Sequence, residues 1–234
     1  MSLKYIKDIH GINDIDIIIP AAGIGKRMKS FGPKSLIQIK PNLNILQNQL
    51  NIIKKILPVA NIILICGFES EILMNNSPNN LIKIENERYE NTNVVRSIGM
   101  GLRACSKEVL IIYGDLIFNE YALKAINFNK SSILVGDNIM NESEVGCILN
   151  KTNQIENMMY DLPCKWGQIL FLKEKELSIF KQICWNPNNY NMFGFEAINL
   201  AINNGANFLA CQNNKAKVID IDSSKDLIRI QEII

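Results

Sequence analysis

Asp14-Ile-Asp-Ile-Ile-Ile-Pro-Ala-Ala-Gly-Ile-Gly-Lys-Arg-Met-Lys-Ser-Phe-Gly-Pro-Lys34 is the stretch that decides the fold. Ile15, Ile17, Ile18 and Ile19 make a short β-branched run, which predicts a buried strand. From Pro20 to Gly25 the side chains shrink to Ala21, Ala22, Gly23, Ile24 and Gly25, so backbone there can approach a ligand closely. Lys26, Arg27, Lys29 and the pair Pro33-Lys34 then follow at several spacings. A glycine loop whose N–H groups cradle oxygens, followed by cations that neutralise charge, suits a polyphosphate.

Two common phosphate loops do not fit. A Walker loop needs G-x-x-x-x-G-K-[ST], which Gly23 and Gly25 do not supply, and a dinucleotide fingerprint needs a third glycine where Met28 stands. The bulk properties narrow the class further. With 234 residues, 47% hydrophobic and 21% charged, the chain can bury one sizeable core, and a single α/β domain is expected. Net charge is +2 and Lys and Arg form no block beyond pairs such as Lys54-Lys55, so nucleic acid is not an expected partner. The first sixteen residues carry charges throughout, and no apolar run reaches the roughly 18 residues of a membrane span, so a cytoplasmic, membrane-free protein is expected. The six cysteines are scattered without C-x-x-C, which predicts reduced, structural thiols. His10 is the only histidine; it lies in a polar leader and leaves no multi-histidine zinc site.

Further along, residues 44–57 repeat apolar side chains at helical spacing before Pro58, and residues 59–66 read as a second buried strand. The resulting β-loop-helix-β unit implies a parallel pair with a right-handed crossover. A short helix over 69–74, a loop over 75–80 and a strand over 81–84 follow. Asn91, Thr92 or Asn93 can cap a helix whose apolar face is Val94, Val95, Ile98 and Leu102. Residues 109–113 are the fourth strand, ending in Gly114-Asp115. An aspartate at the carboxyl end of a buried parallel strand lies where open α/β sheets place their ligands, and its hard oxygens suit Mg²⁺. From residue 131 the pattern changes to antiparallel strands over 131–135, 144–149, 155–160 and 166–172, then helices over 173–183 and 193–203 and strands over 208–211 and 217–221. Ser223 or Ser224 caps a final helix. Period two puts Asp220 and Asp222 on one face of the closing strand.

The run G-x-G-x-R-M followed by P-K, together with Gly114-Asp115 and the closing V-I-D-I-D-S-S-K-D-L, resembles the nucleotidyltransferases that make nucleoside-diphosphate sugars and CDP-alcohols. Lys26 stands where many sugar-phosphate members carry Thr or Ser. The resemblance covers nearly the whole chain from Asp14 onward. It implies a mostly parallel, doubly wound Rossmann-like sheet of the glycosyltransferase-A-like type with a small β-rich insertion. It divides the one domain into a nucleotide-binding part (residues 14–127), an acceptor-binding part (128–215) and a closing metal strand and helix (216–234). It also implies roles. Arg27 would hold the departing β- and γ-phosphates with the amides of Ala21, Ala22, Gly23, Ile24, Gly25 and Lys26. Lys34 would bridge the α-phosphate and the incoming phosphate, and Asp115 and Asp222, with Asp220 a lesser candidate, would bind Mg²⁺. Tyr89, Asn91, Asn93, Ser97 and Gly114 would neighbour the nucleotide.

The implied reaction is attack by the phosphate of a small acceptor on the α-phosphorus of a triphosphate, releasing pyrophosphate, in a monomer or homodimer. Two anions must be aligned and their charge stabilised, which needs no protein nucleophile. Resemblance to phosphocholine-type cytidylyltransferases favours CTP. Tyr160, Trp166, Trp185 and Tyr190, with Asp161 and Glu196 in the same stretch, suggest aromatic faces and a carboxylate for a cationic head group. A methylerythritol-phosphate cytidylyltransferase is disfavoured because Tyr113-Gly114-Asp115 replaces that family's histidine-aspartate-alanine motif. A sugar-1-phosphate nucleotidyltransferase serving surface polysaccharide synthesis remains the alternative. A binding domain that has lost activity would be expected to lack a metal aspartate or the lysine, and all are present.

Overall fold

A computed structural model describes residues 14–25, 32–136, 144–223, 226, 229, 230 and 233. Strand β1 (Ile15–Pro20) is buried at every position, because helices cover both of its faces. A 3-10 turn (Lys34–Leu36) and a small hairpin, β2 (Gln38–Lys40) and β3 (Leu43–Asn44), lead into helix α1 (Ile45–Ile56). Residues 35–39 thus split between a turn and a short strand. The Asn44 side chain accepts from Gln47 N–H while the Gln47 side chain accepts from Asn44 N–H, which satisfies two otherwise orphaned helix donors. Next come β4 (Asn61–Cys66), α2 (Ser70–Asn75), β5 (Ile82–Glu85), α3 (Val94–Ala104), β6 (Glu108–Ile112), β7 (Leu116–Phe118) and α4 (Glu120–Ala125). The second half supplies β8 (Ser132–Gly136), β9 (Val145–Leu149), β10 (Ile155–Tyr160), β11 (Cys164–Leu172), α5 (Glu174–Trp185), α6 (Gly194–Asn203), β12 (Leu209–Cys211) and β13 (Val218–Asp220).

Nine of these strands, among the described residues, form one sheet in the order β10-β9-β11-β6-β1-β4-β5, with β8 on β11 and β12 on β8. β6, β1, β4 and β5 run parallel, as the β-helix-β reading requires. β11 joins β6 antiparallel, so the inserted strands extend the same sheet. Alternate side chains separate two cores. Ile17 and Ile19 pack with Leu46 and Ile53 of α1, whereas Ile18 packs with Val95, Ile98 and Leu102 of α3. Phe180 and Ile183 of α5 and Ala197, Ile198 and Ala201 of α6 join the second core. The sheet is thus doubly covered, and the C-terminal ends of β1 and β6 open on one edge. β13 stands apart, pairing antiparallel with β7 so that Asp220 lies opposite Leu116. Among the described residues no helix is long and apolar enough to cross a membrane.

Candidate functional site

Beyond β1 the chain turns through residues 21–25 and returns at Pro33, beside the turn that ends β6. Gly25 has φ +56°, and a Cβ there would meet the Lys34 side chain at 2.7 Å, so only glycine lets the loop lie over the lysine. Lys26 and Arg27 lie outside the described residues, as do residues 137–143 and part of the expected final helix.

The turn carrying Asp115 is held from three sides. Gly114 N–H donates to Pro20 C=O (3.1 Å), and Ile221 N–H to Asp115 C=O (3.1 Å). From inside, the fully buried Gln49 of α1 donates its amide to the carbonyls of Tyr113 (2.9 Å) and Leu116 (2.8 Å). β13 brings Asp220 and Asp222 alongside. The Asp226 carboxylate accepts from the N–H groups of Asp222 and Ser223 and from the Ser223 hydroxyl, which sets the turn after β13.

Lys34 Nζ lies 2.6 Å from Asp222 Oδ1 and 3.2 Å from Asp115 Oδ2. Oxygens of Asp115, Asp220 and Asp222 lie within 4.8 Å of one another, a spacing able to hold a divalent cation. Burial works against the Lys34 ammonium, but Asp115, Asp220 and Asp222 outweigh it and hold the group above the ordinary lysine range. Asp220 is raised well above a normal carboxylate, first by burial and then by the charges of Asp115 and Asp222. Its Oδ2 accepts from Gln168 Nε2 (3.1 Å), while its Oδ1 is buried without a partner among the described residues. Gln168 reaches it from an irregular stretch of β11 with φ +54°, a left-handed conformation in which a side chain leaves the strand's alternation.

These groups floor a cavity of about 610 Å³, next to a side pocket of about 70 Å³ bordered by Ala21, Ser35 and Gly114. One wall joins Ala22, Gly23, Ile24 and Gly25 to Asn86, Tyr89, Thr92, Asn93 and Ser97. Asn93 caps α3 through its own side chain, which accepts from Val94 N–H. Asn91, expected beside the nucleotide, is exposed on the 3-10 turn Tyr89–Asn91 and does not border the cavity.

The opposite wall holds Tyr113, Tyr160, Trp166, Phe193 and Phe195 with Glu144. Tyr113 meets Trp166 edge-on at 5.5 Å, and Tyr160 meets Phe195 edge-on at 5.4 Å. Gly194 opens α6 because a Cβ there would stand 1.9 Å from the Tyr113 hydroxyl. The Tyr113 hydroxyl and the Trp166 indole N–H are buried without partners among the described residues. Burial also raises the Tyr113 phenol far above its ordinary value, so it stays a neutral donor.

Of the six residues expected around the acceptor, Tyr160 and Trp166 border the cavity; Asp161, Trp185, Tyr190 and Glu196 do not. Trp185 donates its indole N–H to Gly99 C=O (3.0 Å), which ties α5 to α3. Tyr190 stacks under the Arg96 guanidinium (4.5 Å), and Glu196 caps α6 by accepting from Phe193 N–H (2.7 Å). Their chemistry is spent on packing and capping. Asp220, Gln168, Tyr113, Asn86, Phe193 and Phe195 were not singled out as site residues by their types, apart from Asp220 as a lesser metal candidate.

No protein-family model matches the chain. The bifunctional protein GlmU of Methanococcus aeolicus is 32% identical over 149 residues, covering 61% of this chain and 35% of that protein. The chain therefore spans about a third of the length of that relative. Among solved structures, the CTP:phosphocholine cytidylyltransferase of Streptococcus pneumoniae superposes with a TM-score of 0.75 at 16% identity, covering 93% of this chain and 98% of that one. The inositol-1-phosphate CTP transferase of T. maritima gives 0.73 at 17% identity, covering 93% and 96%. A UDP-glucose pyrophosphorylase complexed with UDP-glucose gives 0.70 at 13% identity, covering 94% and 97%. The fold is that of the nucleotidyltransferases the sequence resembles.

Proposed function

We propose that this chain is a nucleotidyltransferase that moves CMP from CTP onto the phosphate of a small phosphorylated amino alcohol, with release of pyrophosphate. The observation that carries the reading is Lys34, held at 2.6 and 3.2 Å from Asp222 and Asp115 on the floor of a cavity whose one wall is a glycine loop. In this reading an oxygen of the acceptor phosphate forms a bond to the α-phosphorus as the bond from that phosphorus to the β-phosphate bridging oxygen breaks. The loop amides of residues 21–25 bind the triphosphate tail, Arg27 of the sequence motif neutralises its outer phosphates, and the Lys34 ammonium lies between the two reacting phosphates. Charge is then stabilised by groups already in place, which is where such sites gain most of their rate.

The donor set fits a divalent cation: three carboxylates within 4.8 Å, one of them with an unpartnered buried oxygen. Asp115 and Asp222, with Asp220 beside them, would hold Mg²⁺, which when bound neutralises phosphate charge and polarises the α-phosphoryl group. The same reading assigns residues 14–127 to the nucleotide, 128–215 to the acceptor and 216–234 to the closing strand and helix of one domain.

For the acceptor, Tyr160, Trp166, Phe193 and Phe195 present ring faces and edges with Glu144 on the same wall. Cation–π contacts of about 0.5–2 kcal/mol each favour a cationic head group there. A sugar-1-phosphate acceptor is the second reading, favoured by the polar groups Glu90, Glu144 and Gln168 on the cavity and by the UDP-glucose pyrophosphorylase likeness. Pyrophosphate release measured with the four triphosphates against phosphocholine, phosphoethanolamine and a set of sugar-1-phosphates tests both. Turnover confined to sugar-1-phosphates with UTP or dTTP would discard the amino-alcohol assignment, and no pyrophosphate with any pair would discard the reaction class.

A further inference from the structure

Asn86 follows β5 directly, is 2% exposed, and borders the cavity although nothing in its type or spacing marked it. Its amide has a fixed orientation. Arg88 N–H donates to Oδ1 (3.2 Å), and since a backbone N–H can only donate, the oxygen must face Arg88 and the NH₂ must face the other way. Both amide protons are then committed, one to the Thr92 hydroxyl (3.3 Å) and one to the Ser97 hydroxyl (3.1 Å). Thr92 passes its own proton to Arg88 C=O (2.8 Å) and is complete. Ser97 is 3% exposed and receives the Asn86 proton, yet its own O–H meets no acceptor among the described residues. A hydroxyl that already accepts from a fixed donor is left to donate, and the face of Ser97 open to a ligand is the cavity.

We infer that Asn86 is a positioning residue that polarises Ser97, so that the pocket presents a directed O–H to an acceptor atom on the edge of a nucleobase. This rests on the reading of the cavity as a nucleoside triphosphate site and specifies which polarity of base edge that site reads. The acceptor is a ring carbonyl, O2 in any pyrimidine, or the unprotonated N3 of cytosine. Ser97 lies one turn into α3, behind Asn93 at its N-cap, on the wall of the cavity that also carries the glycine loop.

Calorimetric titration with CTP, UTP and ribose 5-triphosphate, which lacks a base, tests the inference. Ser97→Ala should weaken CTP binding by about 3- to 10-fold, the range of one neutral hydrogen bond, and leave ribose 5-triphosphate within twofold of wild type. An equal loss for UTP assigns the contact to O2, and a loss for CTP alone assigns it to N3; both support the inference. Asn86→Asp keeps an acceptor for Arg88 N–H but turns an acceptor toward Ser97, which recruits the serine proton inward. It should reproduce the base-dependent loss, and adding it to Ser97→Ala should remove no further base-dependent affinity. Triphosphate binding that Ser97→Ala leaves unchanged, or a loss as large for ribose 5-triphosphate as for CTP, overturns the inference alone. A wild type that binds no nucleoside triphosphate overturns the nucleotidyltransferase reading and this one with it.

Discussion

Replacing Lys34 by alanine should make the protein a tighter metal binder and a far poorer catalyst. The ammonium makes two charged hydrogen bonds, to Asp222 at 2.6 Å and Asp115 at 3.2 Å, with the lysine side chain 14% exposed and the carboxylates 31% and 27%. Pairs with this much solvent contribute about 1 kcal/mol each. A divalent cation that takes the same oxygens must displace both, so Lys34→Ala relieves it of about 2 kcal/mol, or roughly 30-fold in dissociation constant. Without metal the variant leaves three carboxylates within 4.8 Å and, among the described residues, no lysine paired with them. Its melting temperature should therefore fall and recover strongly with cation, since saturation at about 100 times the dissociation constant returns about 2.7 kcal/mol. Turnover should drop by on the order of 10²-fold or more, because a fixed cation is lost where phosphate charge develops. Isothermal titration with Mn²⁺ and Mg²⁺, thermal melts across a metal series and pyrophosphate release would read all three. Unchanged or weaker metal affinity would refute the reasoning, because it would mean that lysine and cation do not share these oxygens.

Other perturbations separate the remaining parts. Asp115→Asn and Asp222→Asn should each cut pyrophosphate release by about 10²-fold or more while near-native melting is kept, since both side chains are partly exposed; wild-type turnover in magnesium would remove the metal assignment. Gly194→Ala places a methyl 1.9 Å from the Tyr113 hydroxyl and 3.1 Å from Trp166, overpacking worth about 1–3 kcal/mol. It should raise the acceptor KM with little change in triphosphate affinity, and the reverse split in steady-state kinetics would place the nucleotide on that wall. Burial pushes the Cys66 and Cys105 thiols up to about 12 from an ordinary 9.0. Stability from such raised groups is complete below pH 9 and lost as pH climbs toward 12, so chemical denaturation should show a decline across that window. At pH 8 a thiol reagent should label the half-buried Cys164 first in the native protein, and rapid labelling of Cys66 would contradict its burial.

The parallel core was legible because it is built from local signals. β-branched runs at 15–19, 61–66 and 108–112 are strands buried on both faces, and the 3.6-residue period over 45–56 can only be a one-sided helix. Val59, expected to begin β4, is 56% exposed and precedes it, since the chain after Pro58 is still turning. β7 and α4 have three and six residues, too few to show any period. Pairing was beyond reach for a different reason. β12 lies parallel to β8 and β13 antiparallel to β7, and no turn chemistry links strands that far apart in the chain.

The site divides along the same line. Lys34 meets Asp115 across 81 residues and Asp222 across 188, yet the three could be named together because each stands at the end of a strand or loop with a recognisable motif. Residues whose role depends on a partner's orientation carried no such mark. Gln168 reaches Asp220 only because β11 is irregular and left-handed there, and Asn86 orients Ser97 only because Arg88 N–H fixes its amide. Trp185, Tyr190 and Glu196 show the converse. An aromatic ring or a carboxylate in the right segment serves a ligand only if packing leaves it free, and these three are taken up by Gly99, Arg96 and the Phe193 N–H. The motifs therefore named the charged side chains that meet on the floor. The walls are decided by which polar atoms the fold leaves unpaired, and Tyr113, Trp166 and Asp220 each keep one such atom buried at this cavity.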